Sequence, residues 1–303
     1  MSEWPRLDGA IDRETLTVLH LASQMLGKVR IANAPWVNHG WHLALQPQAG
    51  GFATLPTTVA DGRSFALSLD LCRHVVDLRV SDGSAEAISL EAGSVAAIHG
   101  ALRDALRRHG LPAQFNDRPS ELPDAPSFSE DKVERHYDRE VATRFRDAIG
   151  RMLPVFNDHR ASFAGKSSPV HFWWGAFDLA VSFFSGRRAP THPGNVPGLP
   201  DRVAREAYSH EVSSAGFWAA GATAAEPFFY SYLYPEPAGY RQAAVRHGRF
   251  DTGFGEWILP HADVAASAEP ERMLAEFFRS AYEVGADLAK WDRQSLDREI
   301  VAP

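Results

Sequence analysis

The chain has 303 residues, 45% of them hydrophobic and 23% charged, which is ordinary globular composition with ample apolar surface for a core. A formal net charge of -7 argues against a nucleic-acid partner, because phosphate binding needs clustered lysine or arginine. The single cysteine, Cys72, excludes an internal disulfide and a thiolate metal cluster.

The first residues, "MSEWPRLDGAIDRETL", are polar and carry no apolar leader segment. No apolar run reaches the roughly 18 residues that a membrane helix requires. The expectation is a soluble, cytoplasmic protein with neither a nucleic-acid nor a membrane partner. In residues 14 to 32, Leu16, Leu19, Ala22, Ser23 and Leu26 recur at three- and four-residue spacing, as an amphipathic helix requires. "GWHLALQP", "GGFATLPTT", "SFALSLDL" and "HVVDLRVSDG" follow as short alternating runs between turn residues, and read as antiparallel strands. "AISL" adds another. Ser94 starts a helix that Gly110 stops.

Residues 111 to 131 hold four prolines and read as a connector. A long helix is expected near Val133 to Phe163, interrupted near Pro154. "SPVHFWWGAFDLAVSFFSG" reads as strand, "THPGNVPGLPD" (191 to 201) as a Pro/Gly loop, and "YSHEVSSAGFW" and "PFFYSYLYPEP" as further strands. A last helix runs from about Pro270 to Trp291, with Glu269 as its capping start.

The halves resemble one another. "LGKVR" closes the first helix and "AGKSS" the long second-half helix, and only four of the 31 basic residues are lysines, so the paired Lys28 and Lys166 stand out. His42 and Asp178 follow at similar distances, and "LEAGSVA" and "LPHADVA" introduce the closing helices. The expected fold is α+β, with two diverged helix/antiparallel-sheet/helix repeats packed about a pseudo-twofold. The first repeat spans 1–110, the connector 111–131 and the second repeat 132–303, together forming one compact unit.

Side chains alternate along a strand. In "HFWWGAFD" this puts His171, Trp173 and Phe177 on one face and Phe172, Trp174 and Asp178 on the other. In "YSHEVSS", His210, Val212 and Ser214 oppose Ser209, Glu211 and Ser213. Tyr230, Tyr232 and Tyr234 form a ladder. Tyrosines beside a polar strand suit a ligand cavity, and equally a stripe packed on the core with its hydroxyls at the rim. His171, Asp178, His210 and Glu211 are the candidate acid-base residues. Asn38, His39, His42, Trp173, Ser213, Tyr230, Tyr232 and Arg187 are the candidate ligand-binding residues. No metal site is expected, because no HExxH-type signature is present and His39 and His42 fall on opposite faces of a regular strand. Lys28 and Lys166 read either as cations at helix C-termini or as ligand-binding cations. G-x-S-x-G, G-x-G-x-x-G and C-x-x-C are absent, and no signature names a cofactor.

"WPRL", "TVLHLASQMLGKVRIANAPWVNHGWH", "GKSSPVHFWWGAFDLA", "FSGR", "REAYSHEVSSAGFW", "FYSYLYPEP" and "WDR" together resemble an uncharacterised, mostly bacterial family, domain of unknown function 5996. In that family the first motif more often reads Asn-His-Trp-Trp-His, with Gly40 in the third place here. The resemblance covers nearly the whole chain and implies no reaction. The leading expectation is a pocket for a small polar molecule, with His and carboxylate groups for proton transfer. The alternative is a non-catalytic interaction module that docks a partner chain through exposed aromatic edges.

Overall fold

A computed structural model describes residues 4–222 and 224–298. The first half contains α1 (Arg13–Asn33), a 3-10 turn at Asn38–Gly40, and six short strands. These are β1 (Gln46–Gln48), β2 (Gly51–Ala53), β3 (Thr57–Thr58), β4 (Ser64–Asp70), β5 (Val75–Val80) and β6 (Ala85–Ser89), followed by α2 (Val95–Arg108). Beyond the connector come α3 (Arg139–Ala161), β7 (His171–Trp173), β8 (Asp178–Arg188), α4 (Asp201–Ala207), β9 (His210–Trp218) and β10 (Phe228–Tyr234). The chain continues through β11 (Arg249–Asp251), β12 (Glu256–Pro260), α5 (His261–Ala266), α6 (Pro270–Leu288) and α7 (Arg293–Leu296).

The strands form two antiparallel sheets, ordered β1-β2-β4-β5-β6 with β3 also on β4, and β11-β12-β10-β9-β8-β7. Antiparallel sheets with helices segregated to one side make this an α+β fold. β4 shows why: Phe65, Leu67 and Leu69 are buried while Ala66 and Ser68 between them are half-buried. In the second sheet, Leu179, Val181, Phe183, Phe217, Phe229, Leu233, Trp257 and Leu259 face the helices. Phe163 stacks on Phe183 at 4.3 Å, and Phe278 of α6 meets Phe229 edge-on. One continuous apolar core runs through both halves. The sheets also touch through their backbones: Leu45 and Phe172 exchange two N–H···O bonds of 2.8 Å.

Several sequence expectations need correction. "GWHLALQP" does not begin a strand at Gly40. His39 (φ 59) and Gly40 (φ 67) both take left-handed backbone, and the chain turns before β1 starts at Gln46. The long helix starts at Arg139, where the Asp138 carboxylate caps the Glu140 and Val141 amides. It runs unbroken through Pro154. The proline lies on the exposed side, with open space around Gly150 four residues earlier, so the carbonyl that loses its partner faces solvent. "THPGNVPGLPD" leads into α4, which sequence pattern did not reveal.

Both halves share the coarse order helix, antiparallel sheet, helix. The residue matches expected of a duplication do not hold. Lys28 lies inside α1, whereas Lys166 lies beyond the end of α3. His42 sits in the turn before β1, whereas Asp178 opens β8. The second sheet also departs from simple sequential order, because β11 takes the edge outside β12.

Gly27 gives a test with opposite signs. Its backbone carries the Trp174 indole, and a Cβ there would stand 2.0 Å from Trp174 Cε2. Helix propensity alone makes Gly27→Ala stabilising by about 1 kcal/mol. The packing makes it destabilising by about 1–3 kcal/mol, because a buried ring must shift. Urea denaturation of the variant decides between them, and a raised midpoint refutes the packing account.

Candidate functional site

The second sheet has an outer face that lies away from α3 and α6. β7 and β8 form a hairpin with Trp173 opposite Asp178 and His171 opposite Ala180. Directly opposed residues share a face, so Asp178 lies with His171 and Trp173 rather than against them. The expected alternation fails because residues 174–177 are a turn: Phe177 has φ 65 and its amide returns to the Trp173 carbonyl at 2.8 Å. Phe177 therefore enters the core, stacked on Phe145. Register then carries Trp218, Gly216 and Ser214 of β9 and Phe228, Tyr230 and Tyr232 of β10 onto the same face as Asp178.

Tyr230 and Asp178 meet across an intervening strand. The Tyr230 hydroxyl donates to Asp178 Oδ2 at 2.5 Å, and the ring passes over Gly216 of β9. A Cβ on Gly216 would stand 2.2 Å from Tyr230 Cζ, so only glycine leaves the ring that path. Beside it, Tyr232 stacks on Tyr230 at 6.1 Å, and its hydroxyl lies 2.9 Å from that of Tyr208. Ser182 and Ser214 hydroxyls pair at 3.2 Å on the same face. His192 stacks on Tyr208 at 4.7 Å and roofs this row from the 190–200 segment.

The connector supplies a third wall. On α1, His20, Gln24 and Lys28 recur every four residues and so share one stripe. His20 donates to the Gly175 carbonyl at 2.9 Å. Gln24 accepts from the Ser120 amide at 2.7 Å and donates to the Ser120 carbonyl at 2.9 Å. Lys28 donates to Ser120 Oγ at 2.7 Å. These bonds press Glu121 onto the turn after β7, where Gly175 makes room for it: a Cβ on Gly175 would lie 2.0 Å from Glu121 Oε1. The Glu121 amide also bonds the Gly198 carbonyl at 3.1 Å, which ties the connector to the 190–200 segment.

Three carboxyl groups here are held above their ordinary range. Burial pushes Asp178 up to about 7, helped by the negative charge of Glu121 and opposed by the Tyr230 hydrogen bond. Burial likewise raises Glu121 to about 7 against the pull of Lys28, and Glu256 to about 8 with repulsion from Asp178 and Asp251. Burial lowers Lys28, opposed by Glu121. Burial also raises Tyr208 to about 12, and drives Tyr230 and Tyr232 well above the usual phenol range. A cleft of about 620 Å³ opens onto this region between α1, the connector, the 190–200 segment and β9; Thr17, Leu21, Glu121, Pro197 and Trp218 line it. Trp218 is the cross-strand neighbour of Asp178, so the buried carboxyl adjoins a cleft-lining residue without itself lining the cleft.

Not every expected site residue comes here. His171 is buried, with neither ring nitrogen hydrogen-bonded, and burial followed by the charge of Arg160 drops it to about 3. It stays neutral. Glu211 and Arg187 pair with each other at 2.6 Å, and Arg187 donates to the Ala289 and Lys290 carbonyls at the end of α6. They close a helix C-terminus rather than line the cleft, as alternation away from Ser214 requires. Ser213 points to the helix side for the same reason, opposite Phe183 and Leu233, and Ser214 takes the place expected of it. Asn38 is exposed. His42 is buried and accepts from the Val37 amide at 3.2 Å, fixing the turn. His39 and His210 do approach each other, ring centroids 6.2 Å apart. They form a separate cluster with Lys166, whose Nζ donates to His39 Nε2 at 3.0 Å. Burial lowers both histidines; Lys166 adds to this in His39, and Arg188 and Lys166 in His210. The structure thus assembles Asp178, Tyr230 and Tyr232, with Trp173 on the same face.

Sequence reasoning missed Glu121, Glu256, Tyr208, Ser214 and Trp218. Glu121 lay in a segment read as linker, and its inward turn depends on partners from α1. Trp218 and Ser214 followed from strict alternation along β9. Among the described residues no three His, Cys, Asp or Glu side chains are grouped to hold a metal ion, and no helix is long and apolar enough to cross a membrane.

Helices packed on antiparallel sheets, with buried carboxyls on the other face of the second sheet, define an α+β protein. The chain belongs to DUF5996, a family of unknown function, which matches residues 4–298. No curated protein and no solved structure matches it.

The raised carboxyls predict a direction for pH dependence. Between the unfolded carboxyl value near 4 and the folded values near 7, the native state holds more protons than the unfolded chain. Stability therefore falls as pH rises through this window, by at most about 1.4 kcal/mol per pH unit per carboxyl. Asp178→Asn should flatten the fall from pH 5 to 8, measured by urea unfolding. A parent whose stability rises with pH there contradicts the burial of these groups.

Proposed function

We propose that the cleft against the second sheet binds a small polar molecule and that Asp178 and Glu121 serve it as proton donor and acceptor. One observation supports this above the others. Asp178 is 5% exposed, carries a pKa near 7, and adjoins the cleft-lining Trp218, its only described side-chain hydrogen bond coming from Tyr230. A carboxyl poised near neutrality changes protonation state at little cost, which suits general acid-base work. His171 lacks that property because it is held neutral far below physiological pH. The acid-base role expected of histidine with carboxylate thus passes to the carboxyls alone. Tyr208, Tyr230 and Tyr232 add apolar faces and oriented hydroxyls.

The rival reading, a partner docked on exposed aromatics, draws on Trp36 and Phe254, 40% and 48% exposed. Both are already engaged. Trp36 donates to Glu206 Oε2 at 2.6 Å and carries Arg202 over its ring, while Phe254 packs on Trp218 and Phe228. These contacts within the chain favour the small-molecule reading.

Native mass spectrometry of the protein purified from its own host tests the reading. We expect a small-molecule adduct on the parent that is absent from folded Asp178→Asn and Trp218→Ala variants. A parent without an adduct, or an adduct that survives both substitutions, overturns it.

A further inference from the structure

We infer that the molecule bound in this cleft carries a protonated amine, received by the carboxyl groups of Asp178 and Glu121 among the tyrosine rings. The inference rests on the small-molecule reading above and names the class of its ligand.

The site is rich in acceptors and poor in donors. Among the described side chains, Tyr230 donates to Asp178, and the carboxyl otherwise receives a backbone hydrogen bond. The charged and hydrogen-bonding side chains that bear on it are Tyr230 and Glu121; those on Glu256 are Asp178 and Asp251. Lys28 is the cation that bears on Glu121, and its described hydrogen bond goes to Ser120. An independent observation comes from Glu256. Its Oε2 is sealed from solvent with no hydrogen-bond partner, on the face that holds Tyr230 and Tyr232. A buried polar oxygen left unpaired costs about 1–3 kcal/mol, so a partner is missing there, and for the ionised form of Glu256 that partner must be a donor.

An ammonium group supplies that donor. It presents three N–H bonds and no acceptor, the complement of this wall. The tyrosine hydroxyls are spent on Asp178 and on each other, which leaves ring faces. Ring faces attract cations. The approach is acidic as well: Glu121, Asp124 and Asp131 line the cleft, and its one arginine, Arg135, is tied to Asp131 at 3.0 Å. An anionic ligand meets repulsion at every step. A metal ion is disfavoured because no three of its ligand types are grouped among the described residues.

Entry of an ammonium group favours the ionised carboxyls, so binding must release protons near neutral pH. The groups facing Asp178 set this window: Tyr230 from β10, Glu121 from the connector, Glu256 from β12 and Tyr208 after α4, with Lys28 of α1 behind Glu121.

Isothermal titration with benzylammonium, benzyl alcohol and benzoate, which share a ring and differ in charge, tests the inference. On the parent at pH 8 we expect benzylammonium to bind at least about ten-fold tighter than benzyl alcohol, a difference of about 1.4 kcal/mol, with benzoate not binding. Benzylammonium should weaken several-fold at pH 6 and release protons at pH 7, seen as a dependence on buffer ionisation heat. Asp178→Asn and Glu121→Gln, each checked for fold by circular dichroism, should erase the preference over the alcohol. Equal or tighter binding of the alcohol or benzoate, lost in Trp218→Ala, keeps the site and overturns the amine. No binding of any probe by a parent that carries a native adduct also overturns the amine alone. A parent with neither probe binding nor adduct overturns the amine and the site together.

Discussion

A sheet has two faces, and in the second sheet of this protein α3 and α6 cover one of them. Leu179, Phe183, Phe217 and Phe229 meet α3 and α6 in the common core. The opposite face meets the connector, the 190–200 segment and the short α4. Such segments bring backbone polar groups that cannot be buried dry without partners. A face roofed by them must itself be polar, and β8, β9 and β10 provide Asp178, Ser182, Ser214, Tyr230 and Tyr232 for it. A small apolar cluster of Ala224, Phe228, Tyr230 and Ile258, flanked by Trp218 and Tyr232, packs on that face apart from the main core.

The roof is held from the first half. Gln24 bonds both backbone groups of Ser120 and also donates to the Gly175 carbonyl at 3.2 Å. One amide side chain thus joins α1, the connector and the β7–β8 turn. His20 and Lys28 repeat the contact one turn before and one turn after it. Each such bond contributes only about 1 kcal/mol net, but leaving any buried partner unmet costs more. That asymmetry fixes the geometry of Glu121. It also explains why α1 is buried nearly all round although its sequence shows an ordinary apolar stripe: the polar side of the helix faces protein, not water.

The sequence revealed most of the framework and part of the site. Helices α1, α2 and α6 were legible because their apolar spacing and their starts at Ser94 and Pro270 are local properties. The tyrosine ladder and the interior position of β9 were legible for the same reason. Asp178 was placed on the wrong face, because alternation holds only while the chain stays extended and residues 174–177 do not. Glu121 was invisible. Nothing local distinguishes it from the other acids of a proline-rich segment, and its burial is decided by side chains on α1 nearly a hundred residues earlier. Lys28 was noticed for its glycine neighbour, yet Gly27 serves Trp174 and Lys28 serves Ser120. Two signals read as one motif have separate causes.

The charge state of Asp178 follows from these same long-range contacts. Its hydrogen bond from Tyr230 favours the ionised form, while burial and the nearby Glu121 favour the neutral one. The first depends on Gly216, which lets the ring cross β9. The last depends on Ser120 and Gln24, which hold Glu121 against Gly175. Burial depends on the 190–200 segment, tied to the connector through Gly198. Burial, with Glu121 acting in the same direction, outweighs the Tyr230 hydrogen bond at this single carboxyl, and the net shift carries it to about 7. An asparagine in that place could accept the same tyrosine hydrogen bond without the cost of a buried acid, so the acid here is held against its own solvation penalty.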